Sequence, residues 1–192
     1  MGKSIALFGT SADPPTIGHK KILEELSKIY AFTISYVSNN PKKKHIEDIS
    51  IRSHLLKTLI EDLDNPKILF NQSVSSQWAV ESIKQCKKIY ELNNLDFVIG
   101  SDLINDIFNW KNFDEIIKEV SFFIILRKGY PVESNTLKIL ETYKVKFTIS
   151  TIKIPNISSS KFRLNFSYYN LPTSLIDIVK KNNLYESTKL VE

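Results

Sequence analysis

Short apolar runs alternate with longer amphipathic runs along almost the whole of this chain, and few folds accept that pattern. SIALF (4–8) precedes an amphipathic stretch from about Ile17 to Tyr30, and FTISYV (32–37) precedes a lysine-rich loop and a second such stretch from about Ser50 to Leu63. KILFN (67–71) leads into SSQWAVESIKQCKKIYEL, where Trp78, Ile83, Cys86, Ile89 and Tyr90 recur at helical spacing. DFVIG (96–100) is followed by DLINDIF and NFDEIIKEV, and SFFIIL (121–126) by a helical pattern from about Glu133 to Tyr143. SFFIIL is nearly all apolar, as a strand covered on both faces should be. VKFTIS and TIKIP close the sheet region, and ISSSKFRLNF with LPTSLIDIVKKNNLYES forms a helical tail.

The connections between apolar runs are too long for hairpins, so the strands run parallel and the class is α/β. Right-handed crossovers then make it a Rossmann-like, doubly wound sheet with helices on both faces, for which 3-2-1-4-5 is the expected strand order. At 192 residues the expected unit is one domain, with the sheet core at about 3–155 and the helical segment at about 156–187. Ligands of such sheets bind beyond the carboxyl ends of the strands, where the strand order reverses. Gly9 with Asp13 and Gly100 with Asp102 follow the two strands that meet there.

Hydrophobic residues make up 42% of the chain and aromatics 11%, which excludes a disordered polar chain. The charge of +5 is modest and the lysines are scattered, so anionic small molecules are expected as partners and nucleic acid is not. Cys86 is the single cysteine, which excludes an intrachain disulfide, and it reads as an inert thiol within a helix. No run approaches the ~18 successive apolar residues that span a bilayer, and the first residues lack a signal-peptide pattern. A cytoplasmic protein without membrane contact is expected, and a homo-oligomer is left open. His45 and His54 have no metal-ligand partners at suitable spacing, so a protein-held metal is not expected. No P-loop pattern occurs.

The densest chemistry lies in FGTSADPPTIGHKKIL, residues 8–23. Pro14 and Pro15 prevent a helix from starting before about Thr16, which is then its N-cap. Ile17, Gly18 and His19 fall in the first turn, where unsatisfied N–H groups and the helix dipole favour an anion. A glycine there costs about 1 kcal/mol relative to alanine, which close approach of a phosphate would offset. Gly9 lets the preceding turn come near. The alternative is a proline-started helix whose glycine merely packs and whose histidine is solvated.

GTSADPPTIGH (9–19) resembles the signature GGTFDPPHxGH of the bacterial nicotinate mononucleotide adenylyltransferase family, over the same eleven residues. Gly9, Asp13, Pro14, Pro15, Gly18 and His19 match, while Thr10 replaces the second glycine, Ser11 the threonine, Ala12 the phenylalanine and Thr16 the first histidine. ISSSKFR (157–163) resembles the superfamily's ISSTxIR motif, about 140 residues downstream. FVIGSDLINDIFNW is similar to the family's GaD…W segment at Gly100, Asp102 and Trp110, and NNPKKKHIEDISIRSHLL to its PxK…R segment at Lys43 and Arg52. FFIILRKGYP resembles the RpGy element at Arg127 and Gly129. Where the family often has tyrosine and threonine near the nicotinate carboxylate, this chain has Trp78 and Ala79.

The resemblance implies transfer of AMP from ATP to nicotinate mononucleotide, by direct attack without a covalent intermediate. It implies catalytic roles for His19, Lys43 and Arg163, and ATP or phosphate contacts at Gly9, Thr10, Asp13, Thr16, Gly18, Ser158 and Ser159. It assigns the mononucleotide to Trp78, Gly100, Asp102 and Trp110, and Mg²⁺ to the ATP phosphates rather than to protein ligands. Asp13 has two candidate duties, bonding the loop or orienting nucleotide and metal water. Nicotinamide mononucleotide as main substrate, a pantetheine-phosphate adenylyltransferase, a cytidylyltransferase and a non-catalytic nucleotide-binding module remain as alternatives.

Overall fold

The computed structural model describes residues 4–186. Among these residues six strands form one parallel sheet: β1 (Ile5–Thr10), β2 (Phe32–Val37), β3 (Ile68–Phe70), β4 (Asp96–Gly100), β5 (Ser121–Ile125) and β6 (Phe147–Ile149). Their order is β3-β2-β1-β4-β5-β6, all neighbours parallel. The order expected from the sequence is therefore extended by one edge strand, formed from VKFTIS. TIKIP adds none: Pro155 offers no N–H to a ladder, and Ile152 and Ile154 turn to pack against the core.

Seven α-helices among the described residues connect and follow the strands: α1 (Ile17–Ile29), α2 (Ile49–Asp62), α3 (Ala79–Ile89), α4 (Phe113–Glu119), α5 (Ser134–Thr142), α6 (Ser159–Asn165) and α7 (Thr173–Lys181). Strand periodicity sorts them into two layers. In β1, Ala6 and Phe8 face a core with Leu23 of α1, Leu56 of α2, Phe162 of α6 and Leu175 of α7. Leu7 faces the opposite core, with Ile83 of α3, Ile116 of α4 and Leu140 of α5. Cys86 is buried in that second core, and burial pushes its thiol up to about 12, so it stays an unreactive hydrophobe. No described helix is long and apolar enough to cross a membrane.

One detail of register opens the ligand crevice. β1 pairs with β2 as far as Thr10 with Val37, but with β4 only as far as Phe8 with Val98. β4 meanwhile stays with β5 to Gly100 and Ile125. The pairing of the two central strands thus stops short of their ends, each end being held by its outer neighbour, and the loops after them diverge around a cleft.

The C-terminal helices are built into the core rather than appended to it. Phe162 is fully buried, with ring centroids 5.9 Å from Tyr185 and 6.3 Å from Tyr168, both edge-on. Phe162→Ala is expected to lower stability by about 3–5 kcal/mol in urea unfolding, the usual cost of emptying an aromatic site in a core. A loss near zero would mean that α6 merely rests on the surface.

Candidate active site

Two segments far apart in sequence build one wall of the cleft. The chain leaves β1 through Ser11–Pro15, and Thr16 takes the extended N-cap geometry (φ −124°, ψ 171°) before α1 begins at Ile17. Gly18 is buried, and a Cβ there would stand 3.2 Å from the Ile157 carbonyl oxygen and 3.3 Å from Thr16 Oγ1. The glycine thus admits the main chain of the 157–163 segment. Ser159 Oγ donates to the Pro14 carbonyl at 2.8 Å, and Arg163 Nη1 donates to the Asp13 carbonyl while standing 3.6 Å from Asp13 Oδ2. Ser158 caps α6, its Oγ accepting the Lys161 N–H at 3.2 Å. The close approach at Gly18 is thus made by protein main chain, and the residue still lines the cleft.

Gly9 and Gly100, which also line the cavity, make room for side chains of the protein. A Cβ on Gly9 would stand 2.6 Å from Tyr36 Cζ and Oη, so this residue gives room to a buried ring of β2. A Cβ on Gly100 would collide with Asp102 Oδ1.

His19 is only 8% exposed, and both ring nitrogens are engaged. Nδ1 lies 3.0 Å from the Thr16 backbone nitrogen and 2.9 Å from Thr16 Oγ1, and Nε2 lies 2.9 Å from Thr10 Oγ1. A backbone N–H only donates, so Nδ1 is the acceptor and the ring proton is on Nε2. Burial, and then the positive charge of Arg127, hold the pKa of His19 down from 6.5 to about 3. The imidazole is therefore neutral near pH 7. The solvated-histidine alternative is overturned, since the ring is the N3 half of a capping pair around Thr16.

Asp13 is 2% exposed, and its carboxylate accepts the backbone N–H groups of Ile46 at 2.9 Å and Glu47 at 3.2 Å. Of the two duties left open by the sequence, the structure displays the first: the side chain bonds a loop. Arg52, also 2% exposed, reinforces it by donating to the carbonyls of Glu47 (2.9 Å), Ser11 (2.8 Å) and Ser38 (3.3 Å). The clamp holds Lys42, Lys43 and Lys44 exposed at the mouth of the cleft, and nothing in their placement separates Lys43 from its neighbours.

Across the cleft stand two half-buried tryptophans. Trp78 caps α3 and has Lys111 Nζ 5.0 Å from its ring centre; Trp110 packs edge-on against Phe97 at 6.2 Å. Asp102 Oδ2 accepts from Arg127 Nη1 at 2.8 Å, while Oδ1 is buried without a partner among the described residues. Arg127 is fixed by its own N–H to Ser101 Oγ at 2.9 Å, and Ser101 Oγ donates to the Tyr130 carbonyl at 2.6 Å. The sequence reading matched Arg127 to a family element but gave it no place in the site. Its position shortly after β5, at a carboxyl end of the sheet, was the available signal.

These walls enclose a cavity of about 560 Å³, and every residue singled out from the sequence as a catalytic or ligand contact lines it. The volume suits a nucleotide-sized ligand. The arrangement offers neutral buried donors at the β1 end, exposed cations at the mouth, and flat aromatic surface beyond β4.

The model of the cytidylyltransferase-like family matches residues 7–165. A protein of Clostridium novyi (strain NT) named "Probable nicotinate-nucleotide adenylyltransferase" is 30% identical over 203 residues, covering 96% of this chain and all of its own length. A protein of the same name from Synechocystis sp. is 28% identical, covering 94% of this chain and 98% of its own. Among solved structures, Plasmodium falciparum nicotinic acid mononucleotide adenylyltransferase complexed with NaAD superposes with a TM-score of 0.80 at 24% identity, over 96% of this chain and 98% of that one. With its fold, both terminal motifs and nearly its whole length matched, this chain belongs to the cytidylyltransferase-like family and, within it, to the nicotinate-nucleotide adenylyltransferases.

Proposed function

We propose that the protein transfers the adenylyl group of ATP to nicotinate mononucleotide, forming deamido-NAD and pyrophosphate. The observation that carries this reading is the two-ended cavity. Residues of the 9–19 and 157–163 segments line one wall, and Trp78 and Trp110 line the wall across the cleft. The relatives' names and the NaAD held by the Plasmodium falciparum enzyme support it.

In this mechanism a phosphate oxygen of the mononucleotide attacks the α-phosphorus of ATP in line, and the bond to the β-phosphate breaks with pyrophosphate leaving. No protein nucleophile is involved. The protein supplies position and charge stabilisation for negative charge spread over phosphoryl oxygens. His19 with Thr10 and the Thr16–Gly18 backbone face the α- and β-phosphates. Ser158, Ser159 and Arg163 face the β- and γ-phosphates, with Lys43 and its neighbours at the mouth. Gly100, Asp102, Trp78 and Trp110 receive the mononucleotide, its flat ring on the tryptophans. ATP enters as its Mg²⁺ complex, with the ion on the phosphates and few protein ligands. Asp13 suits such an arrangement, because both its carboxylate oxygens already accept backbone N–H groups. We place the protein in the cytoplasm.

Pyrophosphate release is the direct test: ATP, Mg²⁺ and nicotinate mononucleotide should give turnover, and nicotinamide mononucleotide, 4′-phosphopantetheine or CTP with a phosphosugar alcohol should give far less. Preferred use of any of these would replace the reading. His19→Ala should fold normally and lose about 10²–10³-fold in kcat.

The pH behaviour of His19 follows from its depressed pKa. Between 6.5 and about 3 the unfolded chain binds a proton that the folded ring refuses, so the unfolded state gains on acidification. The stability contributed by the neutral ring is whole above about 6.5 and drains as pH falls toward 3. Urea unfolding should show wild type losing more stability than His19→Gln between about pH 7 and about pH 4.5. Equal slopes would mean that the ring is protonated in the folded protein.

A further inference from the structure

Just before α4, an extended Trp110 (φ −74°, ψ 144°) and a left-handed Asn112 (φ 56°) bracket Lys111, which lines the cavity with both tryptophans. Lys111 reaches across to the start of α3, where its Nζ stands 5.0 Å from the Trp78 ring centre and 3.7 Å from Glu81 Oε1. Two tight ion pairs join α3 to α4 further along, Lys84 to Glu115 at 2.5 Å and Lys87 to Glu119 at 2.6 Å. The Lys111 pair differs from them. Glu81 Oε2 accepts from Ser76 Oγ at 2.6 Å, while Oε1 stands too far from Lys111 for a hydrogen bond. The ammonium thus waits beside the cavity with no hydrogen-bond acceptor among the described residues. Arg127, the other cation beyond β4, is already committed to Asp102 at 2.8 Å.

We propose that Lys111 is a specificity-determining residue: its ammonium meets the carboxylate of the nicotinate ring and so selects the acid mononucleotide over the amide. In both mononucleotides the ring nitrogen is bonded to the ribose and carries a positive charge. The carboxylate balances that charge in the acid; the carboxamide leaves it unbalanced. An ammonium close to the ring therefore attracts the one and repels the other, which discriminates in both directions. Trp78 makes the transfer simple, because a tryptophan face draws an ammonium and a pyridinium alike. A ring settling on Trp78 displaces Lys111 from it, and the carboxylate carried by that ring is the nearest new partner. Glu81 holds the ammonium in the meantime, and a half-exposed pair at 3.7 Å gives it up at little cost.

This inference rests on the adenylyl-transfer reading, which wild-type pyrophosphate release with each mononucleotide tests alone; the variants below test Lys111. Lys111→Met keeps the stem and removes the charge. It should lower kcat/KM for nicotinate mononucleotide about tenfold, mainly through KM, and should not lower it for nicotinamide mononucleotide. Lys111→Arg keeps the charge and should keep the preference. KM for ATP should stay at its wild-type value in both variants, which a general attraction for phosphates would not allow. Calorimetry with the dinucleotides reads the same contact without turnover: Lys111→Met should bind deamido-NAD about tenfold more weakly than wild type does, and NAD no more weakly. Thermal melts separate these effects from unfolding. Equal losses with both mononucleotides, a raised KM for ATP, an undiminished preference for the acid in Lys111→Met, or a lost preference in Lys111→Arg would each overturn the proposal.

Discussion

The Asp13 carboxylate, 2% exposed, joins segments that the sequence keeps far apart. It accepts from Ile46 and Glu47, lies 3.6 Å from Arg163, and through the Glu47 carboxylate the network reaches the Tyr185 N–H at 2.9 Å. A carboxylate at this depth would cost several kcal/mol if left alone. Two backbone donors and a guanidinium offset that cost only while the phosphate loop, the lysine loop and α6 all hold their places. The same bonds that satisfy one buried charge therefore fix three walls of the cavity relative to one another. Removing Arg163 or displacing the 46–47 loop would leave Asp13 short of partners, so positioning of the site and stability of the fold are coupled here.

Arg52 completes the arrangement from below. Its guanidinium meets three carbonyl oxygens and stays buried without a carboxylate in hydrogen-bond contact among the described residues. A planar fork of donors can satisfy carbonyls from the 11, 38 and 47 positions at once, which a lysine ammonium could not do with the same rigidity. Its charge is thus used to hold loop backbone, not to meet ligand.

The alternation of apolar and amphipathic runs was enough to read the parallel sheet and the approximate helix starts, because those depend on local period and, for α1, on Pro14 and Pro15; the central strand order came with the Rossmann-like class. The edge strand β6 was blurred with TIKIP, since a three-residue strand carries too little period to be separated from an extended segment beside it. Which residues converge was legible through the family resemblance. What each one touches was not, and the glycines show why. Gly9 answers to Tyr36 and Gly18 to Ile157, partners 27 and 139 residues away. A missing Cβ signals close approach, but nothing in the sequence says whether ligand or protein makes it. The bonding of Thr10 and Arg127 escaped for a related reason, as their partners His19 and Asp102 arrive only through folding.

The site divides its electrostatic work by depth. The groups immediately around His19 are neutral: its own ring, the Thr10 and Thr16 hydroxyls and a backbone N–H. A permanent cation in the position of His19 would be costly whenever no anion is bound, and the pKa of about 3 shows the environment rejecting one. At the mouth, Lys42, Lys43 and Lys44 remain exposed, where hydration keeps their charges inexpensive until a polyphosphate arrives. Orientation thus comes from rigid dipoles that need no reorganisation, and charge compensation from solvated cations that need little desolvation. This division lets one cleft receive two highly charged nucleotides without burying an unpaired cation at the end of β1.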